Sequence, residues 1–409
     1  MTSYYGPRVR RIDDGYLGPM RLLPPVAAAV LSVSLLAAPG HAQAPAPDAR
    51  ASASADPDAA KAPALKVRKL VRGLDLPWDV RSLGSGKLIF TQRDRATLST
   101  WKNGKTRKVN GFPSNKVWVS GETGLTGLAV DPDFATNGRV YTCGGWRKGS
   151  GHDVRVIAWT LDAKARNVTG HKALVKGFPT TSGRHGGCRL LITSDGSLLV
   201  GTGDAAVGTN PRNLDSLGGK TLRLNRFSGA PWPSNPYADA TTARRYVHTF
   251  GHRNVQGLAQ RSDGSLWSVE HGSDRDDEVN LLVNGGDYGW NPVPGYNESV
   301  PMTDQGLPGT QVEAKWSSGS PTVATSGADF VAGAEWGTLD GALAVACLKA
   351  SRLIFMTFDS AGNLQRTRVP GALRKFGRLR GVTLAPDGAL LVTTSNGDGR
   401  DSILRVTPQ

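Results

Sequence analysis

The chain has 409 residues, 51 of them glycine and 25 proline, with 20% charged residues and a formal net charge of +15. That length holds one large domain or two to three small ones, and glycine and proline spread this evenly mark frequent turns between short segments rather than disorder. The basic residues are scattered, without the Lys/Arg cluster or aromatic platform of a nucleic-acid module, so the charge reads as a solvated surface suited to acidic envelope polymers.

From Met20 the chain reads MRLLPPVAAAVLSVSLLAAPGHAQA. An arginine precedes an apolar run that ends in small residues, the pattern of a secretory signal peptide. The run carries two prolines and stops near Ala38, which argues against stable membrane insertion. No cysteine lies at the cleavage region, which argues against a lipid anchor. Residues 1–43 are thus an N-terminal extension with a signal peptide, and export to the periplasm or beyond is expected. Residues 44–64 form an Ala/Pro/Ser/Asp linker that cannot bury a core. Residues 65–409 form the folded domain.

Within that domain one device recurs: a glycine turn followed by a short apolar strand. It occurs as GSGKLIFTQ (84–92), NGRVYTCGG (137–145), DGSLLVGTGD (195–204), DGSLWSVEHG (263–272), LDGALAVACLK (339–349) and DGALLVTTSN (387–396). The turn chemistry and strand-length apolar runs predict hairpins. The spacing suits one four-stranded antiparallel sheet per unit, and the fold expected is an all-β, six-bladed propeller. Polar residues following these strands would converge at the mouth of a central channel. Of the three cysteines, Cys143 and Cys188 lie in the same half of the chain beside predicted strands and are the favoured pair, leaving Cys347 over.

Four segments carry a resemblance: GETGLTGLAVDPDF (121–134), GRHGGCRL (183–190), GHRNVQGL (251–258), and EHGSDRDDEVN (270–280) followed by GGDYGWNPVPGY (285–296). In this order they resemble the soluble aldose sugar dehydrogenases that use pyrroloquinoline quinone, the glucose/sorbosone dehydrogenase family. The resemblance runs from about Leu74 to near Val406. It implies oxidation of an aldose at C1 to a lactone, with a hydride passing to the quinone and electrons to an external acceptor.

The residue types suit that chemistry. A base neutral near pH 7 must take the hydroxyl proton, and imidazole is suited to it. His185 matches the family's catalytic histidine, whereas His252 is a bystander. A fixed cation stabilises charge developing on the quinone oxygen, and the resemblance gives that role to Arg253, with Asn254 and Gln256 beside the cofactor. Glu122 and Asp204 fall on the substrate side, and the Glu122 carboxylate is a candidate to orient His185.

A tricarboxylate cofactor calls for cations, and Lys349, Arg378 and Arg380 match the family's clamp positions. Two apart on a strand, Arg378 and Arg380 would share a side. Thr322 and His271 match further cofactor contacts. The resemblance also implies calcium as a Lewis acid, held by the backbone oxygens of Gly272 and Ser273. The second of these positions is commonly proline in the family. A second, structural calcium would use carbonyls of Pro294 and Tyr296 with Glu298. The adjacent acids Asp276, Asp277 and Glu278 cannot all face one site, so some of them orient the loop. Two other classes fit a propeller: a calcium-dependent lactonase-type hydrolase, for which a basic clamp is unhelpful, and a cofactor-free binding propeller.

Overall fold

The computed structural model describes residues 62–409; the signal peptide and most of the linker expected from the sequence lie outside the described residues. The described chain forms twenty-four strands in six four-stranded antiparallel sheets. The chain enters through β1 (Leu65–Leu74), and the first blade follows as β2 (Pro77–Ser82), β3 (Leu88–Gln92), β4 (Thr97–Lys102) and β5 (Lys105–Lys108). The second blade is β6 (Leu125–Val130), β7 (Arg139–Lys148), β8 (Gly151–Leu161) and β9 (Val168–Phe178). The third is β10 (Arg189–Ile192), β11 (Ser197–Gly201), β12 (Lys220–Asn225) and β13 (Val247–Phe250). The fourth is β14 (Val255–Gln260), β15 (Leu266–Glu270), β16 (Glu278–Leu281) and β17 (Trp316–Ser317). The fifth is β18 (Thr325–Phe330), β19 (Leu343–Cys347), β20 (Arg352–Phe358) and β21 (Leu364–Arg368). The sixth, β22 (Leu379–Leu384), β23 (Leu390–Thr394) and β24 (Asp401–Pro408), takes β1 as its outer strand, in register from Leu65 opposite Pro408 to Leu74 opposite Asp401.

All six glycine-turn repeats become the second strand of a blade. Their turns need a left-handed residue that glycine supplies without a Cβ clash, as Gly196 (φ +87°) and Gly264 (φ +90°) show. The first strands contact one another in a closed cycle, β2–β6–β10–β14–β18–β22, and so ring the axis. The apolar core is divided accordingly: six clusters of buried side chains occur, one at each blade-to-blade interface. Burial between blades thus replaces a single central core, and the axis is left to polar side chains. Cys143 on β7 and Cys188 before β10 form a disulfide, tying the second blade to the third, while Cys347 is free and buried. No helix among the described residues is long and apolar enough to cross a membrane.

Candidate active site

Every loop that enters a first strand, and every loop that leaves a second strand, opens on the same face. Glu122, His185, Arg253, Thr322 and Arg378 lie on the entering loops; Asp204, His271, Gly272, Ser273 and Lys349 lie on the leaving ones. The topology therefore gathers the sequence-predicted residues at one mouth.

His185 is buried and holds a left-handed backbone (φ +51°), a conformation a non-glycine residue keeps only when its surroundings enforce it. The enforcement is visible. A Cβ on Gly203 would lie 1.9 Å from the His185 carbonyl oxygen, and one on Gly187 would lie 2.3 Å from the Gly203 nitrogen, so both positions require glycine. The Gly187 N–H donates to Asn254 Oδ1 at 3.2 Å, the His185 N–H to Glu122 Oε2 at 3.2 Å, and the disulfide closes the segment at Cys188.

The imidazole is oriented by Asp204. Nδ1 lies 2.8 Å from Asp204 Oδ1 and 2.9 Å from the Tyr296 hydroxyl, which donates to Asp204 Oδ2 at 2.8 Å. The Trp290 indole N–H also donates to Oδ2 at 2.8 Å, and the Ala206 N–H to Oδ1 at 2.8 Å. A carboxylate surrounded by donors accepts the Nδ1 proton, which fixes the neutral tautomer with Nε2 unprotonated. Nε2 has no hydrogen-bond partner among the described residues.

Two expectations are corrected here. Asp204, expected on the substrate side, is fully buried and hydrogen-bonded to the His185 ring. Glu122 holds the backbone of His185, not its ring, and also accepts from Asn254 Nδ2 at 3.1 Å. Tyr296 and Trp290, the other members of this cluster, were not assigned to the base by sequence reasoning. Their segment GWNPVPGY was visible, but nothing in it says which carboxylate they reach.

A chain of hydrogen bonds runs from Glu122 to the cations. Asn254 Oδ1 accepts from Gln256 Nε2 at 3.1 Å, and Gln256 Oε1 accepts from Arg380 Nη1 at 2.8 Å. Arg380 is buried, also reaches Ser326 Oγ at 3.2 Å, and lies 5.8 Å from the Trp78 ring. Burial pushes it down to about 9, helped by the cations of Arg93, Arg189 and Arg378 and opposed by Glu122. Arg378 lies just before β22 and is exposed, so simple strand alternation does not pair it with Arg380, although its charge is felt there. Arg93 was expected at the mouth only as one of the polar residues that follow the strands, and Arg189 was given no role by the sequence. Arg189 lies across the Trp78 ring at 3.9 Å, pairs with Asp79 at 2.9 Å and donates to the Gln256 carbonyl at 2.8 Å. Lys349 is exposed beside Thr322, 3.5 Å from its hydroxyl.

Arg253 donates to Glu298 Oε1 at 2.5 Å and to the His271 carbonyl at 3.2 Å. Arg184 holds the other side of Glu298 at 2.6 Å. Of the residues expected at a structural calcium, Glu298 has its carboxylate paired with these two guanidinium groups, and Tyr296 sends its hydroxyl to Asp204. His271 is pushed down to about 3 by burial and by the Arg380 and Arg253 cations, so its ring is neutral.

Asp277 organises the loop after β15. It accepts the Gly272 N–H at 3.0 Å and those of Val323 and Ala324 at 2.7 and 2.6 Å. Asp276 accepts from the Ser317 hydroxyl at 2.8 Å. The Gly272 and Ser273 carbonyl oxygens accept no hydrogen bond from the described residues, while the loop that presents them is fixed.

Behind Arg253 lies a buried carboxyl pair. Glu270 accepts the Arg253 N–H at 2.9 Å and faces His252 Nδ1 at 2.8 Å; the other nitrogen of that ring meets Thr249 at 2.8 Å, which makes His252 structural. Asn280 bridges Glu270 and Glu278 at 2.9 and 3.2 Å. Burial, then repulsion from Glu270, raises Glu278 well above the ordinary carboxyl range. The folded protein thus keeps a proton that the unfolded chain releases above its ordinary value of 4.5, so this contribution to stability is lost as pH rises through the folded value. Glu278→Gln is expected to flatten the fall. The melting temperature of the variant relative to the parent should be higher at pH 8 than at pH 5, as read by paired thermal scans.

An all-β propeller with an oriented histidine and a cluster of arginines at its channel mouth defines a propeller enzyme whose chemistry sits at the axis. The comparisons give the family. Residues 74–405 match the Glucose / Sorbosone dehydrogenase family, and the chain belongs to it. The chain is 28% identical over 360 residues to the aldose sugar dehydrogenase YliI of Escherichia coli K12, covering 85% of this chain and 94% of that protein. The PQQ-bound aldose sugar dehydrogenase of Streptomyces coelicolor matches with a TM-score of 0.69 and 29% identity, covering 85% of this chain and all of that one. The apo-form enzyme of E. coli matches with a TM-score of 0.75 and 26% identity over 84% of this chain and all of its own. The protein is an oxidoreductase of the sugar dehydrogenase type.

Proposed function

We propose that the protein oxidises an aldose at C1 to the lactone, using pyrroloquinoline quinone with calcium, and passes electrons to an external acceptor. The observation that supports this most is a surplus of buried positive charge beside a base with a free nitrogen. The Nε donors of Arg380 and Arg253 are buried without a partner. Buried donors left unpaired are costly, and a planar ligand with several carboxylates and carbonyls is the kind of group that satisfies them. The residues present therefore fit the cofactor. Arg380, Arg378, Lys349 and Thr322 would hold its carboxylates, with Arg253, Asn254, Gln256 and His271 around its remaining edge. The carbonyls of Gly272 and Ser273 would serve a hard cation, and the Asp277 hydrogen bonds give that loop a rigidity not dependent on proline at position 273.

When bound, the quinone supplies a hydride acceptor and the calcium a Lewis acid. The chain's own residues do the rest. His185 Nε2 takes the proton of the C1 hydroxyl, while Asp204, fixed by Tyr296 and Trp290, stabilises the imidazolium that results. Arg253 provides fixed positive charge where negative charge grows, tempered by Glu298. The hydrolase reading asks for side-chain ligands gathered on a cation, and no group of three or more His, Cys, Asp or Glu fit for that occurs among the described residues. Export, with residues 1–43 as leader and 44–64 as linker ahead of the domain from 65, accords with a disulfide beside the site.

The test is reconstitution with pyrroloquinoline quinone and calcium, followed by dye reduction with a panel of aldoses. Cofactor binding is measured separately by calorimetry. Arg380→Met is expected to weaken binding by about tenfold or more, the scale of a lost charge-assisted hydrogen bond. Wild-type protein that binds no quinone with calcium present would overturn the proposal.

A further inference from the structure

On the face opposite the mouth, a cleft of roughly 680 Å³ opens between the first and second blades. Its walls are the β2–β3 turn, the β4–β5 turn and the β8–β9 turn, and Lys87, Lys102, Lys105, Arg107, Lys164 and Arg166 line it. No aspartate or glutamate lines it, and none of the six basic side chains forms an ion pair among the described residues.

The adjacent carboxylate, Asp162, is occupied by its own turn, accepting the Arg166 backbone N–H at 2.7 Å and Asn167 Nδ2 at 2.5 Å. Lys87 donates to the Lys164 carbonyl, which draws two turns of the cleft together. Burial and the nearby Arg166 and Lys102 charges, opposed by Asp162, lower the Lys87 ammonium from its ordinary value, so the cations are close enough to repel. Six cations held together with a single nearby carboxylate, Asp162, attract a multivalent anion.

Position decides which anion. Lys87 enters β3 at the cleft and Arg93 leaves it at the mouth, a span of roughly 20 Å at the usual strand rise. A sugar or the quinone bound at the mouth does not reach the cleft, and a redox protein docked there would sit on the wrong face. We propose that this cleft binds a linear polyanion with repeated phosphate groups, anchoring the protein while the mouth stays open. The proposal is independent of the cofactor and substrate assigned above.

Full-length protein is titrated with a short inorganic polyphosphate at physiological ionic strength. The variant Lys102→Ser/Lys105→Ser/Arg107→Ser is compared with Lys66→Ser/Arg366→Ser/Arg374→Ser, an equal loss of charge at other exposed sites. The cleft variant is expected to lose about tenfold or more in affinity and much of its salt dependence, while the control changes less than about twofold. Thermal scans check that both variants remain folded. Equal losses in both variants would reduce the effect to net charge and overturn the site, as would no binding by the parent chain. Binding to phosphatidylglycerol vesicles but not to the soluble polymer would overturn the polymer in favour of a lipid surface.

Discussion

His185→Ala, in protein loaded with quinone and calcium, is expected to lower kcat by about 10²- to 10⁴-fold, the range supplied by a positioned general base, with cofactor affinity unchanged. The companion variant is more discriminating. Asp204→Asn keeps size and shape but replaces an acceptor with an amide that can donate to Nδ1. The neutral ring then carries its proton on Nε2, the atom that must be free, and a loss of comparable size is expected, roughly 10²–10⁴ in kcat. Tyr296→Phe removes one donor to Asp204 but leaves the 2.8 Å contact of that carboxylate with Nδ1, so its cost should stay near tenfold, about the worth of one hydrogen bond. Stopped-flow reduction of the bound cofactor at several pH values reads all three. An Asp204→Asn protein with parental kcat would remove Asp204 from the catalytic machinery.

The second large effect concerns the disulfide. Cys143 and Cys188 are 45 residues apart, and chain entropy for a loop of that length gives about 4 kcal/mol of stabilisation at most. Cys143→Ser/Cys188→Ser is expected to lower the melting temperature by up to roughly 5 °C. It should also lower kcat more than cofactor affinity, because the cross-link ends three residues from a histidine held at φ +51°. Both cysteines are buried, so a reductant should act on the native protein far more slowly than on the unfolded chain. Parental melting temperature and kcat in the double variant would show that the loop is held by its glycine contacts alone.

Much of the architecture was legible in the sequence for a physical reason: the second strand of each blade is buried on both faces and follows a turn that requires glycine. Those strands read as short apolar runs, and they counted the blades. Outer strands left no such trace. β5 is exposed throughout, β21 nearly so, and β17 is two residues long. The gathering of residues at the mouth was legible where a motif carried it, as at His185, Arg253 and Arg380.

Roles that depend on which loops meet were not legible. His185 and Tyr296 come from different blades, and no spacing announces that they share Asp204 as their acceptor. Glu298 showed an oxygen ligand in the sequence but had two arginines in space. Arg189 and Trp78 stack beneath the cation cluster from the third and first blades, and PWDV and CRL are unremarkable when read apart.

Closure of the ring has a consequence for how the molecule is made. Leu65 pairs with Pro408, and the register runs inward to Leu74 opposite Asp401, so the first strand to emerge during synthesis waits for the last. Five blades can form as local meanders on a growing chain, but β1 stays unpaired until β22, β23 and β24 have followed all of them. Such pairing across nearly the whole sequence is slow to find. Until it is found, the apolar face between the sixth and first blades stays exposed to whatever else can cover it.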